Sequence, residues 1–272
     1  MTTDRDTIRF TTWLAPGLPL GMYEEIAAHV SRGLGRDHEL SVEPKISGPI
    51  SVADDRFTQG LTDVGFLCPP SYLWLTEGSD PSVTLVPLAP VHDDPRNGGR
   101  PQYVSDVIVR KDSGITSFAD LEGRRVGYNE PASLSGFVSM LARLDRDELG
   151  VDFFGEWRQV GSHRAALTSI LSGEIDAAAI DANVLRTWAS ENPDAAAALR
   201  SVDVLGPFPV QPVVARASAG SELVDALAAE LARPELAAAL RPFGVVGFGP
   251  ISHEAYADLA PMVARAMALV AH

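Results

Sequence analysis

The sequence predicts an α/β protein built on mixed, mostly parallel sheets with flanking helices. Three observations predict it. Short apolar or alternating runs recur along the chain, separated by stretches of helical spacing about 10–15 residues long, the pattern of βαβ units. The 272 residues are 46% hydrophobic and 21% charged, an ordinary globular mix with chain enough for a sizeable core. No short internal repeat or low-complexity linker interrupts the pattern, which argues against a solenoid or a disordered tether.

Each element has its own signal. Residues 8–14 (IRFTTWL) read as a strand, with Phe10 and Trp13 as strand formers. The Pro/Gly-rich run 15–21 breaks the chain, and 22–34 carries amphipathic helical spacing that ends near Gly33 and Gly35. Residues 40–46 form a second strand. VGFL (64–67) is a short buried strand, followed by Pro69, Pro70 and a helical turn through Tyr72. Residues 84–91 (TLVPLAPV) are strand-like, with Pro87 and Pro90 arguing for an edge. After a polar loop (92–100), a new unit opens with strand 103–110, a turn at 112–114, a short helix over 117–121 and strand 125–128. Ser133 or Ser135 can cap a helix running to Leu144. Strand 157–160, helix 163–171, the small-residue strand 177–181 (AAAID) and helix 182–191 follow. Strand 210–215 precedes an Ala-rich end with helical spacing over 222–232, 235–240 and 253–271.

Charge and composition exclude several functions. Lys plus Arg number 22 and Asp plus Glu 36, a net charge of −14, which disfavours nucleic acid and anionic membrane surfaces. Cys68 is the single cysteine, so a disulfide framework and a multi-Cys zinc site are ruled out. The six histidines are scattered without metal-ligand spacing, so no metal and no cofactor is expected. No apolar stretch is long enough to insert in a membrane. The first residues (MTTDRD) lack a basic and then apolar leader, so the expectation is a cytoplasmic protein, or a periplasmic or extracellular one if a leader had been removed.

Three motifs carry a resemblance. They are DVGFLCPPSY (63–72), YVSDVIVRKDSGITSFADLEGRRVGYNEPASLSG (103–136) and GSHRAALTSILSGEIDAAAID (161–181), together with GFGPISHEAYADLAPMV near the end. In this order they resemble the phosphonate-type (phosphate, phosphite or phosphonate) periplasmic solute-binding proteins of ABC transporters. The resemblance implies a two-lobed type II periplasmic-binding fold, with ligand in the cleft and two crossover strands, 103–107 and 209–213. It implies a discontinuous first lobe (1–104 plus 208–272) and a second lobe (105–207). It also implies a small anionic ligand, a permease partner if the chain is exported, and a monomer.

Physical reasoning places candidate residues at the carboxyl ends of strands, where open α/β sheets form their crevice. Ser133, Leu134, Ser135 and Gly136 open a helix, whose first N–H groups and positive dipole end suit an anion. Leu134 stands where the family has a hydroxyl residue. The bland alternative is that the serines only cap the helix. His163 starts the next helix and can donate to a ligand oxygen, or be a surface or N-cap histidine. Asp181 ends AAAID and can pair with a ligand group or cap the following helix. Gln211 stands where aminoalkylphosphonate binders carry an acid, which disfavours a primary amine in the ligand. Tyr72 offers a ring wall and an O–H. Cys68 and Trp13 lie at strand ends and fit either a pocket wall or the core.

Two function classes follow. One is a binding module for a small oxyanion, a phosphonate, phosphate ester or related group. The alternative is a cytoplasmic, cofactor-independent lyase, dehydratase or decarboxylase on the same fold, with His163 or Asp181 as acid/base. A ligand sensor is a third reading.

Overall fold

A computed structural model describes residues 7–15, 17–44 and 46–270. The leader reading of the first six residues, Pro16 in the breaker loop, Lys45 in the expected second strand and Ala271 at the end of the expected terminal helix lie outside the described residues. In chain order the strands are β1 (Thr7–Thr12), β2 (Asp37–Val42), β3 (Val64–Phe66), β4 (Val83–Leu85), β5 (Leu88–His92), β6 (Gln102–Arg110), β7 (Arg125–Tyr128), β8 (Glu156–Gln159), β9 (Ala177–Asp181), β10 (Leu199–Pro209), β11 (Val213–Arg216) and β12 (Val245–Pro250). The α-helices are α1 (Leu20–Leu34), α2 (Pro69–Leu75), α3 (Ser139–Arg146), α4 (His163–Ser172), α5 (Ala182–Glu191), α6 (Pro193–Ala197), α7 (Gly220–Leu231), α8 (Pro234–Leu240), α9 (His253–Ala257) and α10 (Ala260–Ala268).

The chain divides into two compact units, Met1–Gln102 with Pro209–Ala257, and Tyr103–Phe208 with Asp258–His272. The sequence expectation gave all of 208–272 to the first lobe. The terminal helix α10 instead packs on α3 of the second unit, where Arg265 Nε meets Asp145 at 3.0 Å. The chain therefore passes between units three times, where two crossings were expected.

The first unit has a five-stranded sheet in the order β2-β1-β3-β11-β4 and a separate β12-β5 pair. β1 runs parallel to β2 and β3, while β11 is antiparallel to β3 and β4. Helix α1 buries Met22, Ile26 and Val30 on one face and stops at Gly35, whose φ of 62° is the left-handed conformation glycine adopts without strain. A core cluster joins Trp13, Phe57, Tyr72, Leu75, Val214 and Tyr256. The second unit has the order β10-β6-β9-β7-β8. β7 is parallel to β8 and β9, and β9 is antiparallel to β6. Every residue of β9 is buried, which explains why AAAID shows no polar alternation: it is a central strand covered on both faces. Ala178 and Ile180 pack with Leu167, Ile170 and Trp188 of α4 and α5.

Several elements differ from expectation for local reasons. Leu20 and Gly21 begin α1 instead of belonging to the breaker loop. The second strand lies at 37–42, earlier than 40–46. The run 84–91 splits before Leu88 into β4 and β5, which belong to different sheets, because Pro87 cannot donate to a ladder. The long terminal helix is two, α9 and α10, with Pro261 in the first turn of α10, a position that tolerates proline.

Candidate functional site

The second unit gathers the candidates at the carboxyl ends of β7, β8 and β9. After β7 the chain runs through Asn129-Glu130-Pro131-Ala132 into a π turn, Leu134–Val138, continuous with α3. The Ser133 carbonyl accepts from Phe137 N–H at 3.2 Å and from Val138 N–H at 3.0 Å, the second being the i→i+5 bond of a π turn. Single π turns are rare and concentrate at functional sites. Behind the turn Phe137 packs on Tyr128 (ring centroids 4.4 Å apart) and Trp157 (5.5 Å), which anchors it to β7 and β8.

Ser133 Oγ accepts from Gly136 N–H at 3.1 Å, so this serine is a cap. Ser135 Oγ lies 3.0 Å from His163 Nε2, and both residues are buried. The Ser135 carbonyl accepts two hydroxyls, Ser105 of β6 at 2.8 Å and Ser139 at 2.7 Å. The Ser135 N–H is in the first turn, where no helical carbonyl precedes it to accept it. Leu134 is fully buried, so its side chain serves packing and only its backbone belongs to the turn.

His163 is the first residue of α4, behind the Ser162 cap. Burial pushes its pKa down from 6.5 to about 4, against an opposing hydrogen bond with the Ala179 backbone. The ring is therefore neutral near pH 7. With one N–H committed to Ala179, its Nε2 accepts the Ser135 hydroxyl proton. Asp181 sits across from Ser105 in the β6–β9 register, and its carboxyl oxygen accepts Asn183 N–H at 2.8 Å, capping α5.

The first-unit candidates sit differently. Tyr72 is 1% exposed, its O–H lies 2.8 Å from His253 Nδ1, and burial together with Glu254 pushes its pKa up to about 12. Its ring meets Tyr256 edge to face at 4.9 Å. Trp13 is buried and stacks on Phe57 at 5.8 Å. Cys68 is buried where α2 begins, with its N–H on Ser47 O at 2.7 Å. Gln211 borders a small apolar cavity with Leu18, Met22, Tyr23 and Phe66.

Sequence reasoning missed Asn129, Ser105, Ser139 and Asn183. Asn129 had a visible signal, since it directly follows a strand at its carboxyl end. Ser139 reaches the Ser135 carbonyl from one helical turn along, whereas Ser105, on β6, reaches it only through the fold. Among the described residues no group of three or more His, Cys, Asp or Glu could hold a metal, and no helix is long and apolar enough to cross a membrane.

Two α/β units of mixed sheet, carrying their polar turns at strand ends, define a two-lobed substrate-binding protein of the type II periplasmic class. Residues 20–256 match the family described as ABC transporter, phosphonate, periplasmic substrate-binding protein, and the chain belongs to that family. The fold is shared with a binding-protein component of an ABC phosphonate transporter from Pseudomonas aeruginosa (TM-score 0.79, 16% identity, covering 97% of this chain and 87% of that one). It is shared equally with PhnD1 of Prochlorococcus marinus solved with methylphosphonate (TM-score 0.79, 15% identity, 94% and 97%). A Xanthomonas citri protein solved with chloride is also similar (TM-score 0.69, 19% identity, 97% and 99%).

The family is periplasmic, which corrects the cytoplasmic expectation. It does not favour the lyase alternative either. A base held near pKa 4, as His163 is, would also be a weak proton acceptor near neutral pH.

Proposed function

We propose that this protein binds a small oxyanion of the phosphonate class at the Ser133–Gly136 turn, as a monomeric, exported component that delivers it to an ABC permease. The observation that carries the reading is the π turn itself, a helix start opening on Ser133–Gly136 and backed by the Ser135–His163 hydrogen bond. Helix starts of this kind bind anions through N–H groups and the dipole. The net charge of −14 gives no long-range attraction for an anion, so capture is local. Asp181, at the end of β9 in the same unit, would border the substituent.

Calorimetry with methylphosphonate, other phosphonates, sulfonates and carboxylates tests the proposal. Saturable binding of at least one oxyanion, weakened by Ser135→Ala, is the expected result. Absence of binding by every compound overturns it.

A further inference from the structure

Asn129 is 8% exposed, and its side-chain oxygen Oδ1 is buried with no hydrogen-bond partner among the described residues. Buried amide oxygens are almost always paired, because leaving one unpaired costs about 1–3 kcal/mol. Its place is fixed by its neighbours. A Cβ at Gly136 would overlap Asn129 Oδ1 and lie 3.1 Å from His163 Cε1, so the amide oxygen, the Gly136 backbone and the imidazole edge meet at one point of the turn. Glycine at 136 makes room for this amide. After the neighbouring strand β9, Asn183 shows the same feature: it is 2% exposed and both its amide atoms are unpartnered.

The orphaned atom at the turn is an acceptor. Ser135 adds a second one, because its proton points to His163 Nε2 and its lone pairs are left for a ligand. Segments 129–136, 161–166 and 181–184 contain one cation, Arg164, and its guanidinium is 2.7 Å from Glu191. Two buried carboxyl groups, Glu130 on Ala132 N–H (2.7 Å) and Asp181 on Asn183 N–H, oppose a second negative charge when ionised.

We infer that Asn129 is a ligand-contacting residue and that its amide oxygen, with the Ser135 hydroxyl oxygen, selects an oxyanion that carries its own proton. The ligand class is thus a singly charged P–OH group, which gives its oxyanion oxygens to backbone N–H groups and its hydroxyl to these acceptors. The inference rests on the oxyanion reading above.

The test compares methylphosphonate, its monomethyl ester and methanesulfonate by calorimetry below the phosphonate's second ionisation. All three then carry one negative charge, and only the first offers a hydroxyl. Wild-type protein is expected to bind methylphosphonate about tenfold or more tightly than the other two, the worth of one hydrogen bond to a charged group. Asn129→Ala and Asn129→Ser are each expected to remove most of that preference. Thermal unfolding of the ligand-free variants, at or above the wild-type midpoint, shows that they are folded, since each removes an orphaned polar atom. Equal wild-type affinity for the three anions, or a preference that survives in both variants, overturns the inference while leaving oxyanion binding intact. Failure of the wild type to bind any oxyanion in the wider panel removes the underlying reading, and the inference with it.

Discussion

Two turns of the molecule look alike in sequence and differ in chemistry. β3 leads through Leu67-Cys68 into α2, and β7 leads through Asn129–Ala132 into the π turn and α3. Both run from a strand through a short turn into a helix, with proline at the helix start in the first and in the turn in the second. The first helix opens with Pro69 and Pro70, which have no N–H, so two of its four terminal donors are missing. Its Tyr72 O–H is already held by His253. The second opens with Ser133, Leu134 and Ser135, keeps its N–H groups, and leaves Asn129 Oδ1 buried without a partner. Each turn keeps one buried side-chain oxygen without a partner, Ser71 Oγ in the first and Asn129 Oδ1 in the second, so the contrast lies in the backbone donors: two prolines remove them from the first helix start, and the second keeps them.

That contrast can be broken from either side. Gly136→Ala has the largest expected effect. The new Cβ must displace Asn129, costing about 3 kcal/mol of stability by overpacking. It should also abolish oxyanion binding in calorimetry; normal affinity would show that the amide is free to leave.

His163→Asn comes next. In the wild type, the ring's pKa falls from 6.5 unfolded to about 4 folded. The unfolded state therefore binds the proton first, and stability is lost as pH falls through that window, by about 2 kcal/mol from pH 7 to pH 5. Urea unfolding at the two pH values should show this loss shrinking by that amount in the variant. An unchanged pH dependence would mean the ring is not held neutral.

Ser135→Ala leaves His163 Nε2 unpaired and should cost about 1.5 kcal/mol. The backbone clasp on the Ser135 carbonyl survives, so the far-UV spectrum should not change.

Tyr72→Phe, on the other turn, is the smallest and sharpens the comparison. It removes one hydrogen bond, worth about 1 kcal/mol, and should leave oxyanion affinity within twofold or so. A large affinity loss would transfer ligand contact to the first turn.

Much of the architecture was legible because burial and periodicity agree. Ala177–Asp181 and Ala182–Glu191 fall where the residue types put them: a small-residue strand covered on both faces, then an Asp cap and an amphipathic helix. β10 and β12 were not legible. Gly206-Pro207 interrupts the first and two glycines the second, which reads as loop although the pairing comes from distant strands. The π turn escaped too, since its apolar spacing resembles that of an ordinary helix start. Ser133, Ser135 and His163 could be picked out as helix-start polar residues, but their partners could not. Asn129 stands visibly at a strand end, but its packing against Gly136 is set by the turn's backbone and not by any local pattern.

The peptide unit between Ser135 and Gly136 is pinned on both sides. Its oxygen receives hydroxyls from Ser105 and Ser139, and its N–H gives to Ser133 Oγ. A plane fastened this way cannot swing, so its orientation is settled when the chain folds and not when a ligand arrives. The ordering entropy of that peptide is then absent from the binding equilibrium, which favours a fast encounter over a slow adjustment. In hydrogen exchange, the Gly136 amide should be as slow as the central strands before any ligand is added, with little further slowing afterwards.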